Sequence, residues 1–174
     1  SKLGQMMKIG RRGSITTHLT VIGKQGHIAY PLEALNPATP IIKILDELKS
    51  RPLDKGNKNF QPSNLEITKI SIDNSADNVI PAKASATFNI RYNTLHTFIS
   101  LKKYISKIIK KYEKKYKCKT QTQFQGTGMA FLTKPNQTVK KIQSIIKKET
   151  KQNTVLSTIG GTSDARFIKD IAPC

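Results

Sequence analysis

Three stretches of the chain alternate apolar and polar side chains with a period of two, and this alternation constrains the fold more than any other feature. They are residues 15–23, 65–72 and 84–92. Such alternation, rich in β-branched residues, predicts strands with one buried face. Residues 120–125 are a shorter fourth candidate. The chain therefore has enough strand signal for a four-stranded sheet.

Two further stretches repeat apolar residues every three or four positions, which predicts amphipathic helices. Asn36 and Thr97 precede these stretches and are expected to cap the two helices, with Pro37 in the first turn of the first helix. The apolar stripes consist of Ile41, Ile42, Leu45 and Leu48 in the first helix and of Leu101, Tyr104, Ile105, Ile108, Ile109 and Tyr112 in the second.

The order strand, helix, strand, strand, helix, strand predicts an α+β fold. We expect a two-layer sandwich, in which a four-stranded antiparallel sheet carries both helices on one face, as in ferredoxin-like folds. The other face stays free, and an edge strand or helix could pair with a second copy. Residues 1–10 show no periodicity. After residue 125, a basic helix, a strand at 155–157 and a glycine-rich loop predict an incomplete α/β segment.

The charge balance is strongly basic, with 30 Lys and Arg against 11 Asp and Glu and a net charge of +19. Such a balance suggests a nucleic acid or an anionic surface as partner. However, most of the basic residues are lysines on predicted helices, and aromatic residues do not interleave with them as stacking platforms would require. We therefore favour solvated helix faces, with RNA binding as the alternative.

No apolar run approaches the ~20 residues that span a bilayer, and the first residues carry no hydrophobic signal segment. Cys118 and Cys174 match neither a metal-ligand spacing nor a disulfide framework. The sequence therefore predicts a cytoplasmic protein that does not contact membranes.

Two glycine-rich segments are candidate functional sites. His27 follows Gly26 on a bend between the first strand and the first helix, although a lone histidine is more often an ordinary surface residue. Residues 158–164 precede a predicted helix, where free N–H groups and the helix dipole favour a carboxylate or a phosphate. An ordinary left-handed turn is the alternative for that loop.

Five sequence blocks, in this order and at this spacing, resemble the succinyl-diaminopimelate desuccinylase family of the dinuclear-zinc deacylase and carboxypeptidase superfamily. The resemblance runs from about Lys8 to the end of the chain. The blocks are GRRGS at 10–14, GHIAYP at 26–31, NVIP at 78–81, FNIRY at 88–92 and GGTSD at 160–164.

The resemblance implies a lid and dimerisation domain at residues 14–124, between a catalytic-domain lead-in at 1–13 and a partial catalytic domain at 125–174. It implies a homodimer and a small-molecule substrate. The intact enzyme would hold two zinc or cobalt ions and hydrolyse the amide of N-succinyl-L,L-diaminopimelate in lysine biosynthesis. The family's metal ligands fall outside this chain, so none is expected here. Acetylornithine deacetylase, or another amino-acid deacylase, is the alternative.

The resemblance also implies roles for individual residues. His27 would enter the partner subunit's active site and donate a hydrogen bond to the oxyanion. Arg11 and Arg91 would bind substrate carboxylates. Asp77 departs from the family pattern, which commonly has asparagine there, and would repel a carboxylate. The full substrate-binding set implied is Arg11, Ser14, Tyr30, Asn78, Arg91, Gly161 and Thr162.

Overall fold

The computed structural model describes residues 2–161, 163–168 and 171. Its strands are β1 (Met6–Lys8), β2 (Gly10–Arg11), β3 (Gly13–Ile22), β4 (Gly26–His27), β5 (Asn64–Ser71), β6 (Val79–Ile80), β7 (Lys83–Tyr92), β8 (Lys119–Gly126), β9 (Phe131–Leu132) and β10 (Val155–Ser157). Its helices are α1 (Ala38–Ser50), α2 (Phe98–Tyr116), α3 (Gln137–Thr150) and α4 (Ala165–Ile168), and a 3-10 turn covers Pro31–Glu33.

The central sheet has the order β5-β7-β3-β8, and each neighbouring pair is antiparallel. In chain order these are the second, third, first and fourth strands of the sandwich, which is the ferredoxin-like order. Each of the four predicted strands is present, and no end differs by more than two residues. The predicted α+β sandwich is confirmed.

Helices α1 and α2 pack against one face of this sheet and against each other. Burial of each aliphatic side chain there stabilises the fold by about 1.5–3 kcal/mol. One predicted core position is wrong: Ile42 is exposed, and Ile44 is buried instead, because positions 41, 44, 45 and 48 share the inner face. The most deeply buried side chains include Ile15, Leu19, Val21, Ile41, Ile44, Leu48, Phe88, Ile90, Leu101 and Ile105.

The two helix starts differ. The Thr97 hydroxyl accepts the N–H of Ser100, and the Ser100 hydroxyl accepts the N–H of Thr97 in return, so the predicted cap of α2 is a complete capping box. At α1 the cap position is Pro37, not Asn36 as predicted. Asn36 still accepts the N–H of Ala38 from one residue further out, since proline has no side-chain acceptor.

The second face of the sheet carries polar side chains and neither α1 nor α2. Here the Asn89 amide donates to Ser14 Oγ at 3.0 Å and to Thr16 Oγ1 at 2.8 Å. One row further along β3, His18 Nδ1 lies 3.2 Å from Thr87 Oγ1. These hydrogen bonds connect β3 to β7 across the free face.

Segments on either side of the sandwich pair with each other. Strand β1 runs parallel to β10, and β2 runs antiparallel to β9. Residues 1–10 show no periodicity in the sequence, yet Met6–Lys8 and Gly10–Arg11 form strands. Strands of two or three residues are too short to show a period, and here their partners lie more than 100 residues away in sequence.

Helix α3 and the segment after it have the predicted α/β character. The parallel pair of β1 and β10 is typical of α/β sheets. In α3, Val139 is buried, whereas Ile142 and Ile145 are 42% and 51% exposed. None of the helices in the described ranges is long and apolar enough to cross a lipid bilayer.

Candidate functional site

His27 lies at the end of the two-residue strand β4, which pairs with β6 so that His27 is opposite Val79. The N–H of Ala29 donates to His27 Nδ1 at 3.1 Å, and the side-chain amide of Asn78 lies 3.3 Å from Nε2. The ring of Tyr30 is 6.1 Å away, and its side chain is 64% exposed. The structure thus brings three predicted site residues together on an exposed bend.

These contacts determine the tautomer of His27. A neutral imidazole has one N–H donor and one acceptor. Because Nδ1 accepts the backbone N–H of Ala29, the ring proton is on Nε2. Nδ2 of Asn78 lies 3.3 Å from Nε2, a contact whose donor and acceptor depend on this tautomer. His27 therefore holds a hydrogen-bond donor that faces away from its own backbone.

A second group of predicted residues lies at the opposite end of β3. Ser14 is directly opposite Arg91, and Arg91 is directly opposite Asn64 on β5. Directly opposite residues of neighbouring strands project to the same face, so this row lies on the free face of the sheet. Ser14 is only 1% exposed, and its hydroxyl accepts a hydrogen bond from the Asn89 amide.

The side chain of Arg12 contacts this row. The sequence blocks had implied Arg11, and not Arg12, as the substrate-binding residue. Nη1 of Arg12 donates to Asn64 Oδ1 at 2.8 Å. Burial, and then the nearby charge of Arg91, lower the pKa of the Arg12 guanidinium. The doubled arginine at 11–12 was the only available signal, and the sequence did not show which of the two would lie beside Arg91.

Arg11 reaches a different place. A Cβ atom at Gly160 would lie 3.2 Å from Arg11 Nη1, so the guanidinium is close to the glycine-rich loop. Gly160 has a φ of +120°, which favours glycine, and a Cβ at Gly161 would meet no atom within 4 Å. Arg11 thus lies beside the glycine-rich loop, and a side chain at Gly161 would enter open space. Thr162, the other predicted residue of this loop, lies outside the described residues.

The two ends of β3 are far apart. Strand β3 ends at Ile22, and the N–H of Gly23 donates to Ala82 O, so the His27 bend continues from that end. Ser14 is eight residues back along the strand, or roughly 26 Å at about 3.3 Å per residue. The length of β3 therefore separates the bend that carries His27 from the row that contains Arg91.

The described residues do not form a metal site. No group of three or more His, Cys, Asp or Glu side chains in the described ranges could hold a metal ion. His18 contacts Thr87, His27 contacts Asn78, and His96 contacts Asp54. The side chains present therefore do not fit the metal pair that the resemblance implies.

Residues 9–117 match the peptidase dimerisation domain family. The match covers more than half of the chain, including α1, α2 and three of the four central strands. The chain belongs to the peptidase dimerisation domain family. The ferredoxin-like sandwich described above is thus the sandwich of a dimerisation domain.

The similarity to curated relatives extends beyond the matched domain to nearly the whole chain. The chain is 60% identical over 174 residues to succinyl-diaminopimelate desuccinylase from Pelagibacter ubique, covering 100% of the chain and 45% of that protein. It is 47% identical to the enzyme of the same name from Ehrlichia canis, covering 99% of the chain and 44% of the relative. The chain thus spans under half the length of these relatives.

Solved structures share the fold at low sequence identity. A tripeptidase from Staphylococcus aureus superimposes with a TM-score of 0.83 at 17% identity, covering 99% of the chain and 44% of the tripeptidase. The aminopeptidase PepT from Bacillus cereus gives a TM-score of 0.78 at 13% identity, with 99% and 44% covered. At these identities the likeness concerns the dimerisation-domain fold together with the segments that flank it.

Proposed function

We propose that this chain is the lid and dimerisation part of an amide hydrolase that removes succinate from N-succinyl-L,L-diaminopimelate. The names of the relatives in Pelagibacter ubique and Ehrlichia canis support this substrate. Acetylornithine, the alternative substrate, has no counterpart in those names. A cytoplasmic location and a place in lysine biosynthesis belong to the same proposal.

The proposed domain division follows the same boundaries as the sequence prediction. Residues 14–124 form the lid, and residues 1–13 and 125–174 belong to the catalytic domain. The pairing of β1 with β10 and of β2 with β9 supports this division, because the segments on either side of the sandwich pair with each other. Strand β8 continues two residues past the boundary, to Gly126.

One observation carries the proposed mechanism: the bend that carries His27 and the row at Arg91 lie at opposite ends of β3, where Ile22 and Ser14 are roughly 26 Å apart at about 3.3 Å per residue. A substrate that contacts both groups must therefore lie between two protomers. In a symmetric dimer each protomer contributes His27 to its partner's site and receives the same contribution. The exposure of His27 and Tyr30 in the single chain is consistent with this arrangement.

In that site His27 acts through the donor described above. Nε2–H of the partner's imidazole donates to the oxygen that becomes negative as the amide carbonyl is attacked. Removal of one such donor typically costs about 2.7–4 kcal/mol of transition-state stabilisation. Asn78 orients the ring, and Tyr30 closes the pocket beside it. This role requires a proton on Nε2.

The carboxylate contacts are shared among the remaining residues. Arg11, together with the N–H groups of the loop at Gly161 and Thr162, is proposed to bind the carboxylate at one end of the substrate. Arg91, beside Ser14, is proposed to bind another, since the guanidinium fork matches a carboxylate. No step is assigned to a metal ion, because the described side chains of this chain do not fit one.

Subunit complementation tests the proposal. The full-length protein is co-expressed as His27→Ala and Arg91→Ala forms with two affinity tags, and the heterodimer is isolated. If His27 acts across the interface, one of the two sites is intact, and the heterodimer retains about half of the wild-type activity on N-succinyl-diaminopimelate. Each mutant homodimer is inactive.

One outcome of this experiment would contradict the proposal. If His27 acts within its own protomer, both sites of the heterodimer are defective, and its activity equals that of the mutant homodimers. Assaying wild-type protein with N-acetylornithine in parallel tests the substrate. Faster turnover of the acetyl compound would contradict the proposed specificity.

A further inference from the structure

The guanidinium of Arg12 is incompletely hydrogen-bonded in a partly buried position. Its Nη1 donates to Asn64 Oδ1 at 2.8 Å. Its Nε is buried and has no hydrogen-bond partner among residues 2–161, 163–168 and 171. A guanidinium has five N–H donors, and leaving a buried one unmatched is unfavourable. The position therefore lacks an acceptor.

A second guanidinium lies beside it. Arg91 is directly opposite Asn64, the residue that Arg12 contacts. In the described part of the chain, neither arginine forms an ion pair. The described ion pairs of Glu47, Asp54 and Glu66 are with other side chains. Two cations therefore adjoin each other without an anion, and a bound anion would relieve their repulsion.

We propose that Arg12 and Arg91 together bind a single carboxylate of the substrate, and that Asn64 positions Arg12 for this contact. The inference deepens the proposed function, on which it rests. Two guanidinium forks on one carboxylate give four or more possible charge-assisted donors for two oxygen atoms, so both oxygens are engaged. Arg11 is excluded from this pair, because its guanidinium lies at Gly160.

Succinate is the probe for this site. The 174-residue chain is titrated with succinate while the Nε–H resonances of its arginines are followed by NMR, and acetate serves as the monocarboxylate comparison. We expect a saturable shift of the Arg12 resonance. We expect Arg12→Gln to weaken succinate binding by about tenfold or more, the loss expected for a hydrogen bond to a charged group. Arg12→Lys should restore only part of the affinity, since the charge returns without the fork.

Arg51→Gln is the matched control, because Arg51 is exposed at the end of α1 and pairs with Glu47. It should leave the succinate affinity unchanged. Asn64→Asp provides an independent readout by placing a fixed carboxylate beside both arginines. We expect this variant to melt at a higher temperature than wild type and to bind succinate about tenfold more weakly.

The proposal is overturned if wild-type protein shows no saturable succinate shift, or if Arg12→Gln binds succinate within twofold of wild type. A lower melting temperature for Asn64→Asp would also contradict it. These results are separate from the test of the proposed function. The heterodimer experiment reports which protomer supplies His27 and does not depend on Arg12, so an active heterodimer with a failed succinate titration would overturn the Arg12 contact alone.

Discussion

Oδ2 of Asp54 lies 3.0 Å from Nε2 of His96, and this pair ties the loop after α1 to the turn before α2. Burial alone would raise the pKa of Asp54. Hydrogen bonds from Ser63, from the Gly56 N–H and from Asn93 outweigh burial, and the pKa of Asp54 lies below its usual value. The ionised carboxylate is thus the form that this loop requires.

Asp54→Asn is expected to destabilise the fold by about 1–3 kcal/mol, because an NH₂ group replaces an acceptor that faces buried donors. A carboxylate with a lowered folded-state pKa contributes stability above its unfolded pKa of about 3.9 and loses it as the pH falls through the folded-state pKa. Urea unfolding of both proteins between pH 7 and 3 should show the difference shrinking below about pH 4. A difference that stays constant to pH 3 would contradict this account.

Thr97→Ala is expected to cost about 1 kcal/mol of unfolding free energy, because the capping box of α2 loses the acceptor for the Ser100 N–H. Thr97→Ser keeps the hydroxyl and is the matched control. Thermal unfolding followed by circular dichroism measures both. Equal melting temperatures for the two variants would show that the methyl group, and not the hydrogen bond, matters at this position.

Gly13→Ala is expected to destabilise the sandwich by roughly 1–3 kcal/mol through overpacking. A Cβ there would lie 2.2 Å from Cζ of Tyr92, which is 1% exposed and has no room to move. The combination with Tyr92→Leu should recover part of the loss. Gly161→Ala is the control, since its Cβ meets no atom within 4 Å. Chemical denaturation of the four proteins distinguishes a local clash from a general intolerance of alanine.

The basic face of α2 gives a prediction about partners. Its lysines are exposed, while its apolar stripe packs into the core. We expect the chain to form a dimer whose mass in light scattering is the same at low and high salt and does not increase when RNA is added. Phosphate contacts would weaken steeply with salt. A monomer that gains mass with RNA only at low salt would favour the polyanion-binding alternative.

The sequence predicted the sandwich well, because its strands and helices are long enough to show their periods. β3, β7 and α2 each bury every second or every third to fourth residue. Strand β10 was predicted at 155–157, but its pairing with β1, and that of β4 with β6, could not be predicted in this way. Two or three residues carry no period, and the pairing depends on segments that meet only in the folded chain.

The candidate site was predicted in part. The sequence blocks gave His27 and Arg91, but not that these residues lie at opposite ends of β3. They also did not separate Arg11 from Arg12. Arg12 lies between the end of β2 and the start of β3, outside either strand. The direction of its side chain is therefore set by the tertiary structure and not by a strand period. The sequence indicates which residue types are present, whereas the fold decides which of them become neighbours.

The pairing of Ile15 with Gly126 has a consequence for how the chain folds. Strands β1 and β10 meet across a long intervening sequence, and closing a loop of that size in a disordered chain costs conformational entropy. Once the sandwich has formed, its first strand, β3, already lies beside its last strand, β8. The segments that carry β1 and β10 then start close together, so the loop that remains to be closed is short. Formation of the sandwich thus lowers the entropic cost of pairing β1 with β10.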